Sequence, residues 1–216
     1  MVARRSPGRS VEQSGVLEVV AAAARRAEQE LLGRQYDIEH AVALVPATAG
    51  LYAVWAEDTA WLALGLRPVR DHHPLYVGKS ESSLRGREVN THFDAGQGVA
   101  SKTGSSTVRR SFAALLAPSL GLHAVPRNVD KPGYFSNYSL RGEDDLRLTR
   151  WMHSHLQLST WSYDNSLAGS LGDIESCVIA SFDPPLNIDK APSPRLELEA
   201  ARAALAREAA SFATCD

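Results

Sequence analysis

AGLYAVWA (residues 49–56) and PLYVGKSESSLRGREVNTHF (residues 74–93) decide how this chain reads. Gly50-Leu51-Tyr52-Ala53-Val54-Trp55 is mostly apolar, with aromatic and β-branched members, the pattern of a strand buried on at least one face. Leu75-Tyr76-Val77-Gly78 is a second, shorter strand after Pro74. The connection between them, 57–73, makes the two most simply antiparallel neighbours. Ser80 to Ser83 then offer N-cap hydroxyls, and Leu84, Val89 and Phe93 can give the following helix a buried face. Gly86 weakens that helix by about 1 kcal/mol relative to Ala, and Gly96-Gln97-Gly98 ends it.

Working outward, residues 1–10 read as a disordered basic leader and 11–48 as an N-terminal helical arm. Val16, Leu17, Val20, Ala24, Ala27 and Leu31 form the apolar side of its helix, which stops at Gly33. Leu44-Val45 looks like strand. Thr103 to Thr107 caps a helix from Val108 to Leu116, ahead of Pro118. Residues 123–142 read as loop, with Tyr134, Phe135 and Tyr138 as anchors or stacking platforms. A helix over 143–155 leads into LQLSTWSY (156–163), the natural third strand. Leu167 to Phe182 is helical, stopped by Asp183-Pro184-Pro185, and 191–216 is a final helix docked on the surface. The expected core domain is 49–190, with insertions at 96–110 and 123–142.

Composition narrows the class. The chain has 216 residues, 44% hydrophobic and 22% charged, as in ordinary globular proteins. No apolar run approaches the roughly 20 residues of a spanning helix. The two cysteines, Cys177 and Cys215, suit a reducing interior and lack a zinc spacing, so a cytoplasmic location is expected. A net charge of −2 argues against non-specific coating of nucleic acid. Its distribution is uneven: residues 67–110 carry eight Lys or Arg against four acids, and 161–216 carry four against nine. A local positive groove is compatible with nucleic acid, and so is a solvated charged face.

One helix start stands out. Arg109 and Arg110 occupy the first turn of the helix capped by Ser105, Ser106 and Thr107, where the dipole disfavours cations. Hydroxyls, backbone N–H groups and guanidiniums together would suit a phosphate. Lys102, just upstream, and Arg85 extend the same nucleic-acid-binding expectation. The bland alternative is that both arginines face water or pair with acids elsewhere.

Gly50-Leu51-Tyr52, then Tyr76-Val77-Gly78, then Arg87 and His92, then Glu175 and Asn187, together resemble the GIY-YIG endonuclease family. The resemblance covers residues 49 to about 188, and the ordered set is more specific than either tripeptide alone. It implies an α/β (α+β) fold: a small, mainly antiparallel three-stranded sheet flanked by helices, here with extra terminal helices. It also implies phosphodiester hydrolysis with one divalent cation, Mg²⁺ or Mn²⁺, on DNA, most simply double-stranded. The setting would be restriction, defence or repair. Glu175 matches the metal-binding carboxylate, and Tyr52, Tyr76, Arg87, His92 and Asn187 the catalytic set. The family usually places its helix arginine four residues before the histidine. Arg87 to His92 is five, about 140° of rotation, whereas Arg85 and His92 would share a face. Arg87 remains the choice from its distance to Leu84.

The chemistry is coherent on its own terms. Mg²⁺ takes one or two carboxylates plus water and phosphate, so Glu175 is enough to hold it. An arginine would neutralise the transition-state charge. The general base stays open among Tyr52, Tyr76 and Lys79, since a free phenol or amine titrates near 10. Two other readings are kept: a catalytically silent nucleic-acid-binding module of the same fold, and a subunit that joins a partner or a second copy through its Ala-rich terminal helices.

Overall fold

The computed structural model describes residues 8–67, 73–87, 103–128, 135–164, 166 and 169–212. Its helices are α1 (Gly8–Leu31), α2 (Ile38–Leu44), α3 (Asp58–Ala63), α4 (Leu84–Arg87), α5 (Thr107–Leu120), α6 (Gly142–His155), α7 (Leu171–Phe182) and α8 (Leu196–Phe212). The strands are β1 (Tyr36–Asp37), β2 (Gly50–Ala56), β3 (Tyr76–Ser80), β4 (Ala124–Val125), β5 (Ser139–Leu140) and β6 (Leu156–Ser162).

β2 is central because it is apolar on both faces. It pairs antiparallel with β3, Tyr52 opposite Gly78 and Val54 opposite Tyr76, and with β6, Tyr52 opposite Thr160. Among the described residues the sheet order is β1-β6-β2-β3. The expected three strands are present, and two-residue β1 adds a fourth at the β6 edge. β4 and β5 form a separate ribbon. That ribbon, with a 3₁₀ turn at Phe135–Asn137, puts structure into a segment read as loop.

Alternation along β2 divides the core. Leu51, Ala53 and Trp55, with Val77 and Trp161, face α1 and α7, meeting Val20, Ala24, Ala27, Leu31, Ile174 and Val178. Tyr52 and Val54 face the other way, towards Val108, Phe112, Leu148, Met152 and Leu205 of α5, α6 and α8. A fully buried side chain of this kind stabilises the fold by about 1.5–3 kcal/mol. α8 is integral to that second layer, burying Leu198, Leu205 and Ala209.

Four local expectations are corrected. α1 starts at Gly8, inside the stretch read as leader, and its Val16 and Leu17 are exposed because α7 covers the helix only from Val20 onward. Leu44-Val45 is not strand: Leu44 ends α2, and Val45 is its C-cap. α5 continues through Pro118, which removes one intrahelical bond near its end, and stops at a left-handed Gly121. α7 begins at Leu171 rather than Leu167, capped by the Ser170 side chain accepting from the Asp173 N–H.

Candidate active site

Both signature glycines are required by close approach. A Cβ on Gly50 would collide with the Trp161 carbonyl on β6 and lie 2.8 Å from a Leu84 methyl. A Cβ on Gly78 would sit 2.5 Å from Cζ and the hydroxyl oxygen of Tyr52, whose ring therefore lies across Gly78. Real Cβ atoms do not come so near. Tyr52 is buried, Tyr76 half-buried, and their ring centroids are 6.0 Å apart.

β3 passes into α4 through two serine caps. Ser80 Oγ accepts from the Ser83 N–H, and Ser83 Oγ accepts from the Gly86 N–H, both at 3.1 Å. Arg85 Nε donates to the Val45 carbonyl at 2.9 Å, which anchors that side chain to the chain before β2. Arg87 closes α4, and its side chain lies outside the described atoms. His92 and Lys102 lie outside the described residues.

The outer edge of β3 is covered by the segment after α7. Leu186 N–H donates to the Leu75 carbonyl, and the Asn187 amide grips Val77 on both sides: Oδ1 accepts from its N–H at 2.9 Å and Nδ2 donates to its carbonyl at 2.8 Å. Asn187, expected as a catalytic residue, thus acts on β3 by holding it. Asp183 and Lys190, at the two ends of this segment, have φ of 48° and 67°, the left-handed region that non-glycine residues rarely adopt. Arg195 braces the turn through the carbonyls of Asp183, Pro184 and Asn187 and the Asp183 carboxylate.

Glu175 lies on α7 and is only 9% exposed. It shares a cleft of about 500 Å³ with Lys79, Ser80, Glu81, Ser83 and Gly86. The structure therefore brings Glu175 and Lys79 together beside the start of α4, while Tyr52 and Tyr76 lie on the opposite face of β3. Two residues in this region escaped sequence reading. Glu81 adds a second carboxylate and contacts Lys79. Lys190 donates to Glu175 Oε2 at 2.6 Å and to the Gly172 carbonyl at 3.3 Å. Glu81 was visible two residues beyond Lys79; nothing in the sequence pairs Lys190 with a carboxylate fifteen residues earlier.

The donor chemistry fits a hard divalent cation. Glu175 and Glu81 supply oxygen, and among the described residues no cluster of three or more His, Cys, Asp or Glu exists that would suit a softer or multi-metal centre.

The phosphate reading of the α5 start is corrected at Arg109 and Ser106. Arg109 is fully buried, with Nη2 donating to Thr149 Oγ1 at 2.8 Å and to Asp145 Oδ1 at 3.2 Å. Burial lowers its pKa, and the Asp145 carboxylate opposes that shift. Ser106 Oγ accepts from the Arg109 N–H as the helix cap. No phosphate in solvent can reach either. Ser105 and Thr107 are exposed, and Arg110 is 7% exposed.

The site thus combines an antiparallel sheet between helical layers, two tilted tyrosines of which one lies across Gly78, and a glutamate in a cleft at the sheet edge, all within a small α+β domain. A GIY-YIG catalytic domain model matches residues 50–207, most of the chain. The chain belongs to the GIY-YIG family. The matched stretch runs from the first residue of β2 well into α8. No curated protein and no solved structure matches it.

Proposed function

We propose that the protein is a divalent-metal-dependent DNA endonuclease in which Glu175 holds the cation. The observation that carries this reading is Glu175 itself, a nearly buried carboxylate in a cleft beside the family's second signature and the helix start that follows it. When bound, Mg²⁺ or Mn²⁺ supplies Lewis-acid polarisation of the phosphate and charge neutralisation at the leaving oxygen. Glu175 and Glu81 would hold it.

The chain's own groups do the rest. Of the three candidate bases, Lys79 is the one that shares the cleft with Glu175, where it would take the proton of the attacking water; Tyr76, half-buried, lies on the other face of β3. Tyr52 packs beside Tyr76, their ring centroids 6.0 Å apart, and Gly78 gives the Tyr52 ring room. Arg87 is assigned the transition-state charge on the family resemblance, and Asn187 fixes the strand that carries Tyr76 and Lys79.

A silent DNA-binding module is the second reading, favoured by the Lys190 ammonium at 2.6 Å from the very carboxylate that would hold the metal. Incubation of supercoiled, branched and single-stranded DNA with Mg²⁺ or Mn²⁺ separates the two. Nicking or cutting that EDTA stops is the expected result. Salt-dependent binding with no cleavage of any substrate would establish the silent module instead.

A further inference from the structure

Arg110 is placed where its charge is hard to explain by the fold alone. It sits in the first turn of α5, donating from Nη1 to the Gly104 carbonyl at 2.8 Å and from Nη2 to Thr107 Oγ1 at 3.2 Å. Its Nε is buried with no hydrogen-bond partner. A buried N–H of a charged group left unpaired carries an uncompensated desolvation penalty. The backbone carbonyl of Arg110 accepts from the buried Tyr138 hydroxyl at 2.7 Å, so the residue is held from both ends.

Two more arginines converge on it. The stem of Arg127 lies against Gly104, with Cγ and Cδ 2.9 and 3.0 Å from the place a Cβ would take, on the residue whose carbonyl Arg110 holds. Arg202 comes from α8, which packs on α5, on β4 and on the turn at 135–137. Burial first, and then the Arg202 charge, lower the Arg110 pKa to about 10, with Arg127 adding to the effect and Tyr138 and Tyr76 opposing it. Among the described residues neither the Arg127 nor the Arg202 side chain has a hydrogen bond or an ion pair. The charges of Arg202 and Arg127 repel that of Arg110, and an anion would relieve the repulsion.

We propose that Arg110, Arg127 and Arg202 form a phosphate site that takes the backbone of the nucleic-acid strand lying beside Tyr76. The site stands on the α5–α8 side of the sheet, apart from the Glu175 cleft, so it would grip a flanking phosphodiester and set the strand's position. This deepens the nuclease reading and rests on it for the identity of the ligand. The same chemistry would also accept free phosphate, and the test separates the two sources.

The test uses the full chain in EDTA, where nothing is cut. Binding of a fluorescein-labelled duplex is followed by anisotropy across a salt series for the parent, Arg127→Gln/Arg202→Gln, and Arg25→Gln/Arg26→Gln. The last pair removes the same charge from α1, on the opposite face of the sheet. Thermal melting of each protein with and without inorganic phosphate accompanies it. The expected result is a salt slope smaller by about 2 for Arg127→Gln/Arg202→Gln, one unit for each phosphate that is no longer neutralised, with the α1 variant like the parent. Phosphate should raise the melting temperature of the parent and not of that arginine-site variant. Phosphate protection abolished in the variant, with no duplex binding by the parent, would keep the anion site but overturn its assignment to a nucleic-acid strand, along with the nuclease reading. Equal slopes and equal protection in parent and variant would overturn the site itself, and so would an equal drop in the α1 variant.

Discussion

At Gly78 the family signature has a plain steric cause. The Tyr52 ring occupies the volume a side chain would need, so Gly78→Ala must displace the ring or the strand. Overpacking of this kind costs about 1–3 kcal/mol, which urea denaturation of Gly78→Ala will show as a lower midpoint. Lys190 is the opposite case, a residue no signature contains. Its ammonium competes with any cation for Glu175. Lys190 is 38% exposed at the side chain, so the pair is worth at most about 1 kcal/mol. Lys190→Met should therefore bind Mn²⁺ roughly threefold to fivefold more tightly by calorimetry; weaker binding would mean that Lys190 assists the site. The tyrosines, glycines and Glu175 were legible because each has a fixed place in a short ordered pattern. Lys190 was not, because its role depends on a left-handed turn that brings the chain back onto α7.

At the scale of elements, the segment 183–190 explains how β3 keeps an orderly edge. Asn187 occupies one edge residue of the strand, and Arg195 clamps the turn that presents it. The Asp183 carboxyl titrates below its usual range: burial opposes the shift, but hydrogen bonds from Ser193 and Arg195 and the Arg195 charge outweigh it. A depressed carboxylate contributes stability that is present above its unfolded pKa, about 3.9, and lost as pH falls through the folded value. Arg195→Ala should thus lower stability at pH 7 and flatten its decline below about pH 4, measured by denaturation across pH. The sequence showed a helix stop at Asp183-Pro184-Pro185 and a late asparagine. It could not show that the asparagine serves the strand, since that contact spans 110 residues.

For the molecule as a whole, α5 and α6 are joined by a buried charge pair that the sequence pattern disguised. Two arginines in a helix's first turn look like a phosphate site when only the helix is considered. One of them, Arg109, instead answers Asp145, 36 residues away and across the layer. Removing one partner of a buried pair typically costs about 3–5 kcal/mol. Arg109→Met should destabilise by that order in a chemical melt, and Arg109→Met/Asp145→Leu should recover much of the loss. The three main strands, the pairing of the first two and the family were readable because alternation and the signatures are local. Charge partners were not, because they are chosen by packing. The central claim is that Glu175 carries metal-dependent cleavage. It is tested most directly by comparing Glu175→Gln with the parent for plasmid cleavage in Mn²⁺ and for duplex binding in EDTA. The expected result is cleavage reduced by at least about a hundredfold, the scale of a removed electrostatic stabiliser, with folding and duplex binding kept. Cleavage by Glu175→Gln at the parent rate would contradict it.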